Sequence, residues 1–381
     1  MELVQSDNLE GKSPGRIEQV DIMRGFALMG IGVENLFAMH VPNELFADYS
    51  AQYSNGINHF LLLGLMTVIR SKFYPIFSFV FGVSAALGLP SQETQYFLRR
   101  LIGLFLLGTL QILFIWDGDV LIQYVFMGAL LLLLRNRSST FLVILGSSLL
   151  LSSFLGKDWG VPVPLDVKYN LTIYQSGSFT EMMVFRVKEY SQSIFHWQAL
   201  LFYSRIFAFM LFGYAFVKSG SITILKSSSW LGKIFLVHVS IAIIIALVVQ
   251  LAGWRGENYD VRCLKEISLT IYFYTVVISL ALLPVFFSRF QWLSYLFAPL
   301  QCLGRLTLTH YLAQNLLFSL LFYNYGLALF MQLAPWQCVL LYFIVIFLQL
   351  RLSVWLLKHF SLGPVEFFLR RIASEKQKGV S

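Results

Sequence analysis

Asp21, Arg24, Leu28, Ile31 and Asn35 recur at 3-4-3-4 spacing, so a helix carries all five on one face. A carboxylate and a guanidinium one turn apart pair with each other. Together they form either a structural ion pair or a cationic mouth that receives a phosphate or carboxylate, with Asp21 steadying the guanidinium. Glu34 is the one acid well inside an apolar run, where it serves as a hydrogen-bonded neutral acid or as a base and proton carrier. Arg70 and Lys72, beside Tyr74 and Pro75, offer an anion site. Arg205 and Arg351 lie within two or three turns of the ends of apolar runs, so each either snorkels or completes a cavity. Among the histidines, His59 stands in a short apolar segment and His310 in the most polar stretch of any long run, Thr307 to Asn315. His59 is a candidate proton acceptor and His310 a candidate substrate contact, and a structural role is the alternative for each. Asp119, closing the turn Asp117-Gly118-Asp119, reads as the N-cap of the next helix.

The elements that must position these residues follow from composition. Of 381 residues, 57% are hydrophobic and 13% charged, against roughly 25% charged in an ordinary globular protein. So few charges cannot cover a water-soluble surface, and so apolar a chain is not disordered. The solvent is lipid. The net charge of +8 therefore belongs to loops at one face of a bilayer, and no nucleic-acid partner is expected; membrane lipids are. Cys263, Cys302 and Cys338 lack both disulfide and metal-ligand spacing, so no metal is expected. Residues 1–20 hold no apolar core of a cleaved signal peptide.

A bilayer core about 30 Å thick takes about 20 apolar residues per helix. Ten runs qualify: Ile22–His40, Phe73–Leu89, Arg99–Trp116, Val120–Leu134, Thr140–Leu155, Ala199–Val217, Leu231–Ala252, Ile267–Phe287, Leu306–Phe322 and Gln337–Leu357. They show no period-2 alternation, which excludes a β-barrel. With the N-terminus in the cytoplasm, most of the 28 Lys and Arg fall inside, and the short outer loops hold none. The expected fold is an all-α polytopic transmembrane bundle of about ten spans with both termini cytoplasmic. Residues 1–20 are an N-terminal tail, 21–360 the bundle with an outer loop at 156–197, and 361–381 an interfacial helix and tail. Ile57–Ile69 is apolar but short, and reads as a re-entrant or interfacial half-helix. Asp21, Arg24, Glu34 and Arg70 are expected to border one hydrated chamber.

Five strings carry a family resemblance: Arg16-x4-Asp21-x2-Arg24-Gly25, Phe79-Val80-Phe81-Gly82-Val83, Trp116-Asp117-Gly118-Asp119, Gly304 to Leu312, and Gly363-Pro364-Val365-Glu366. In this order they resemble the YeiB family, bacterial multi-pass membrane proteins with a domain of unknown function. The resemblance implies a multi-pass protein of the bacterial cytoplasmic membrane, and transport is one role suggested for the family. The opening string is also similar to that of the membrane acyltransferase clan. In one branch of that clan a catalytic His follows the Arg-Gly pair by ten positions. Asn35 stands there in this chain, and an amide cannot accept a proton at neutral pH. In another branch a His precedes the second span, a region that His59 occupies. The clan likeness implies an acyl-CoA-type thioester donor entering at Asp21 and Arg24, with Arg70 and Lys72 holding phosphate or carbonyl oxygen. The acyl group would pass to an envelope glycan or lipid. The alternative is a transporter of a small anionic solute, its path lined by Arg70, Lys72, Arg205 and Arg351, with Glu34 coupling to protons.

Overall fold

The computed structural model describes residues 17–42, 45–88, 94–155, 167–251 and 259–374. The tails 1–16 and 375–381 and loop residues 156–166, which the sequence places outside the bundle, lie beyond the described residues. Among the described residues the regular structure is helical, as the apolar runs require.

The chain begins with α1 (Glu18–His40), a short α2 (Phe46–Gln52), α3 (Gly56–Gly64) and α4 (Phe73–Gly88). Next come α5 (Thr94–Phe114), α6 (Leu121–Leu134) and α7 (Ser139–Leu155). The outer loop contributes α8 (Val167–Ser176) and α9 (Phe179–Ser193), before α10 (Trp197–Lys218), α11 (Ser228–Leu251) and α12 (Tyr259–Phe287). The last four are α13 (Ser294–Arg305), α14 (Thr307–Phe322), α15 (Pro335–His359) and α16 (Pro364–Ser374).

Each of the ten apolar runs coincides with a helix. Among the described residues, six helical stretches are long and apolar enough to cross a membrane: Glu18–His40, Gly56–Gly88, Thr94–Phe114, Trp197–Lys218, Thr270–Phe287 and Pro335–His359. Leu121–Leu134, Ser139–Ser153 and Ser229–Ile245 are apolar but shorter. The surface matches a lipid solvent. Ile102, Phe105, Leu106 and Leu110 on α5, and Phe343, Ile344, Phe347 and Leu348 on α15, are exposed.

Lipid supplies no hydrophobic drive between helices, so close backbone contact holds them together, and small residues permit it. A Cβ on Gly25 would strike the Leu300 carbonyl, and one on Gly304 the Asp21 carbonyl. Likewise a Cβ on Gly82 would strike the Met210 carbonyl and one on Gly213 the Phe79 carbonyl. Thus α1 crosses α13, and α4 crosses α10, at paired glycines. Three of the five strings, those with Gly25, Gly82 and Gly304, have their glycine at these crossings.

The half-helix does not loop back on itself as a re-entrant segment would. The Trp336 N–H donates to Asn58 Oδ1 at 3.1 Å, which sets the start of α3 beside the first turn of α15. The same end of the bundle holds the end of α1, where His40 Nε2 accepts from the Leu333 N–H at 3.1 Å. The far end of the segment meets Glu34, which accepts from the Ser71 N–H. From there α4 runs antiparallel to α1, with Phe73 against Gly30 and Ser84 bonded to Arg24. Gly56–Gly88 therefore descends once, interrupted by a π-helical turn at Leu65–Ile69 and by Ser71 at φ 65°.

The described part of the loop that the sequence places outside is helical, as α8 and α9. Ser178 and Glu181 close a capping box on α9. Arg186 is wholly buried; it donates to Tyr325 Oη at 3.3 Å and stacks over the Tyr323 ring at 5.3 Å. Tyr174 of α8 donates to Asp117 Oδ1 at 3.0 Å, which ties α8 to the turn beneath it.

Candidate functional site

A cavity of about 420 Å³ opens between α1, α4, α5 and the α13–α14 junction, at the end of the bundle where α1 begins. Arg24, Arg100 and Arg305 line it with Asp21, Ser84 and Glu366. Its walls deepen through Phe77, Phe81, Leu101 and Leu104 to a blind end at Leu121 and Tyr124. The opening is charged and the depth is apolar.

Arg24 is fixed from two sides. Its Nη1 donates to Asp21 Oδ1 at 2.8 Å and its Nη2 to Ser84 Oγ. Asp21 is buried and Arg24 half-exposed, so the carboxylate anchors a guanidinium that still faces the opening. Glu366 meets the start of α14, whose first N–H groups have no partner within the helix. It accepts from Leu308 N–H at 2.9 Å, Thr309 N–H at 3.1 Å and Thr309 Oγ1 at 2.5 Å. An anion there also suits the positive end of the helix dipole. Gly363 permits the approach, because a Cβ would strike the Glu366 carboxylate. The closing Gly-Pro-Val-Glu string is thus a cap supplied by α16 to α14.

Beyond the blind end the bundle interior is polar. Tyr74 Oη donates to Asn35 Oδ1 at 3.0 Å, and Asn35 Nδ2 to Asn315 Oδ1 at 3.0 Å. Tyr124 Oη lies 2.7 Å from Ser78 Oγ. Asp119 accepts from the Leu121 N–H at 2.9 Å and from Tyr311 Oη at 2.5 Å. The N-cap of α6 is Val120 and not Asp119 as the sequence suggests; from one residue earlier, Asp119 holds the first N–H of α6 and also binds α14 across the bundle. A second ladder joins α14 to α15: Gln314 Nε2 donates to Gln349 Oε1 at 2.7 Å, and Ser353 Oγ lies 2.7 Å from His310 Nε2.

Burial raises the Asp119 carboxyl from 3.8 to about 6. The folded protein then holds this proton more tightly than the unfolded chain. The contribution to stability is full below about pH 4, falls as pH rises to about 6, and is level above that. An Asp119→Asn variant should lose this segment of the pH–stability curve. Unfolding midpoints of the two proteins across the window check it, and parallel curves would contradict the assignment.

The expected single chamber is two places. Asp21 and Arg24 line the cavity, whereas Glu34, Arg70 and Lys72 gather at the break between α3 and α4. Ten residues at about 1.5 Å rise set Arg24 and Glu34 about 15 Å apart along α1. Asn35 and His310 sit in the polar interior. His59 is half-buried on α3, its ring 6.1 Å from that of Phe60, and does not line the cavity. Nor do Arg205, which donates from Nε to the Leu201 carbonyl at 3.3 Å, or Arg351, exposed over Phe347 at 5.3 Å. Packing of their own helices turns them elsewhere.

Arg100, Arg305, Glu366 and Tyr124 are the lining residues that sequence reasoning missed. Arg100 and Arg305 read as ordinary inside-loop charges. Arg305 and Glu366 did lie in the recurring strings, the one signal that marked them.

Residues 216–376 match the family described as "Protein of unknown function (DUF418)". The chain is 25% identical to the "Uncharacterized protein YxaH" of Bacillus subtilis (strain 168), with 93% of each chain covered. It is 26% identical to the "Uncharacterized protein YeiB" of Escherichia coli (strain K12), over 93% of this chain and 95% of the relative. A protein of Bacillus acidopullulyticus, "Uncharacterized 39.9 kDa protein in amylase 3'region", is also 26% identical, over 95% of both. No solved structure matches the chain. The chain is a homologue of YeiB and YxaH, and carries the DUF418 region over residues 216–376.

Proposed function

We propose that this protein transfers an acyl group from a cytoplasmic acyl-CoA-type thioester to a glycan or lipid of the envelope. It does so in the bacterial cytoplasmic membrane, as a bundle of ten crossings with both termini inside. The cavity carries the proposal. Three guanidiniums at its opening suit the phosphates of such a donor, since the planar fork pairs with phosphate oxygens. Phe77, Phe81, Leu101 and Leu104 suit its acyl end, and about 420 Å³ lies in the usual range for a small-molecule site. In the transfer, the acceptor hydroxyl oxygen bonds to the carbonyl carbon, the carbon–sulfur bond breaks, and the hydroxyl proton leaves with the thiolate.

The test compares ester-linked acyl groups on envelope glycans and lipids in wild-type, deletion and Arg24→Ala strains. Loss of one acylated species in the deletion strain, with a reduction of roughly tenfold in the variant, is the expected result. An unchanged acyl profile under several growth conditions would sink the reading. The break within Gly56–Gly88 favours a second reading, transport of a small anion, because interrupted spans recur at transporter binding sites. In that case proteoliposomes would carry anions while the acyl profile stays flat.

A further inference from the structure

The break between α3 and α4 brings together groups that acyl transfer at the cavity leaves unused. The π-helical turn Leu65–Ile69 closes with the Arg70 N–H on the Leu65 carbonyl at 2.8 Å. Ser71 follows at φ 65°, a conformation uncommon for a residue with a Cβ. These two features take the Ser71 N–H out of the helical ladder, and the Glu34 carboxylate on α1 accepts it. The other oxygen, Oε2, is buried with no hydrogen-bond partner. Lys72, also buried, turns its ammonium to the Met66 carbonyl at 3.1 Å and lies over the Phe273 ring at 5.5 Å.

An ionised carboxylate with one oxygen buried and bare is costly, whereas a proton on that oxygen removes the charge. The bond to Ser71 is charge-assisted only while Glu34 is ionised. We propose that Glu34 is a proton-binding site that controls the joint between α3 and α4. Ionised Glu34 clamps the break through the Ser71 N–H, and protonated Glu34 slackens it. Lys72 and Arg70 are the cations that act on Glu34, and both favour the clamped form. Tyr74 on α4 and Asn35 on α1 face it as neutral groups, with Tyr74 Oη held by Asn35. This switch stands whether or not the cavity serves acyl transfer.

The test uses the full-length protein in lipid vesicles. Dicyclohexylcarbodiimide, an apolar reagent for protonated carboxyl groups, is applied across a pH series and the adduct on Glu34 is read by peptide mass spectrometry. Labelling should be strong at the lowest pH of the series and fall roughly tenfold by the highest, the two pH values that bracket the change. In Lys72→Met the fall should move to higher pH, because a cation that favoured ionisation is gone. Amide hydrogen exchange over residues 65–74 should quicken roughly tenfold in Glu34→Gln, which has lost the charged acceptor. Absent or pH-independent labelling of Glu34 overturns the proposal, as does exchange in that segment that ignores the substitution. If Glu34→Gln fails to fold, wild-type exchange at the two pH values, corrected for the intrinsic chemical rate, gives the same readout.

Discussion

Gly213→Leu is expected to leave almost no folded protein in the membrane. A Cβ at 213 would collide with the Phe79 carbonyl, and across the same crossing a Cβ at Gly82 would collide with the Met210 carbonyl. Both obstacles are main chain, which cannot rotate aside as a side-chain tip does. Relief requires α4 and α10 to separate, which loses their shared contacts along the crossing. Overpacked sites commonly cost about 1–3 kcal/mol and more where backbone must move, so about 3 kcal/mol or above is expected here. Alanine at Gly64, which has nothing within 4 Å, serves as the control and should behave like wild type. Yield of monodisperse protein in detergent and its unfolding midpoint measure both. Wild-type yield from Gly213→Leu would mean that the crossing is not as close as described.

The second large effect is expected at Glu366. Its carboxylate takes three hydrogen bonds from Leu308 and Thr309. In Glu366→Ala two backbone N–H groups at the start of α14 lose their acceptor. A helix cap is worth about 0.5–2 kcal/mol, and hydrogen bonds to a charged group about 1.5–3 kcal/mol. A total loss of roughly 3 kcal/mol follows. Glu366→Gln keeps an acceptor oxygen and should lose less than half of that. The damage should also reach the cavity, because Glu366, Thr307 and Leu308 all line it. Unfolding midpoints of the two variants give the ranking, and equal midpoints would remove Glu366 from this role.

Glu366 joins two of the five strings in space, and Gly213 packs on a third, Phe79 to Val83. The glycines of Phe79 to Val83 and of Gly304-Arg305 mark helix crossings, and Gly363 to Glu366 caps α14. A linear string does not show what lies opposite its positions. The half-helix is the same lesson in a different form. Arg70-Ser71-Lys72 ends an apolar run, which was legible, but the π-helical turn and the partner Glu34 were not, because both depend on how α3 leans against α1.

Composition alone determined the solvent, since so few charges cannot cover a protein in water. Run length and positive-charge placement then set the helices and their ends, because the bilayer's thickness and field act on each segment separately. Only the tertiary structure decided which charges share a cavity. Arg24 was joined there by Arg100, Arg305 and Glu366 from three other helices, while Glu34, on its own helix, faced a different neighbour. Rotation and tilt of helices come from packing between them, and no single segment contains that information.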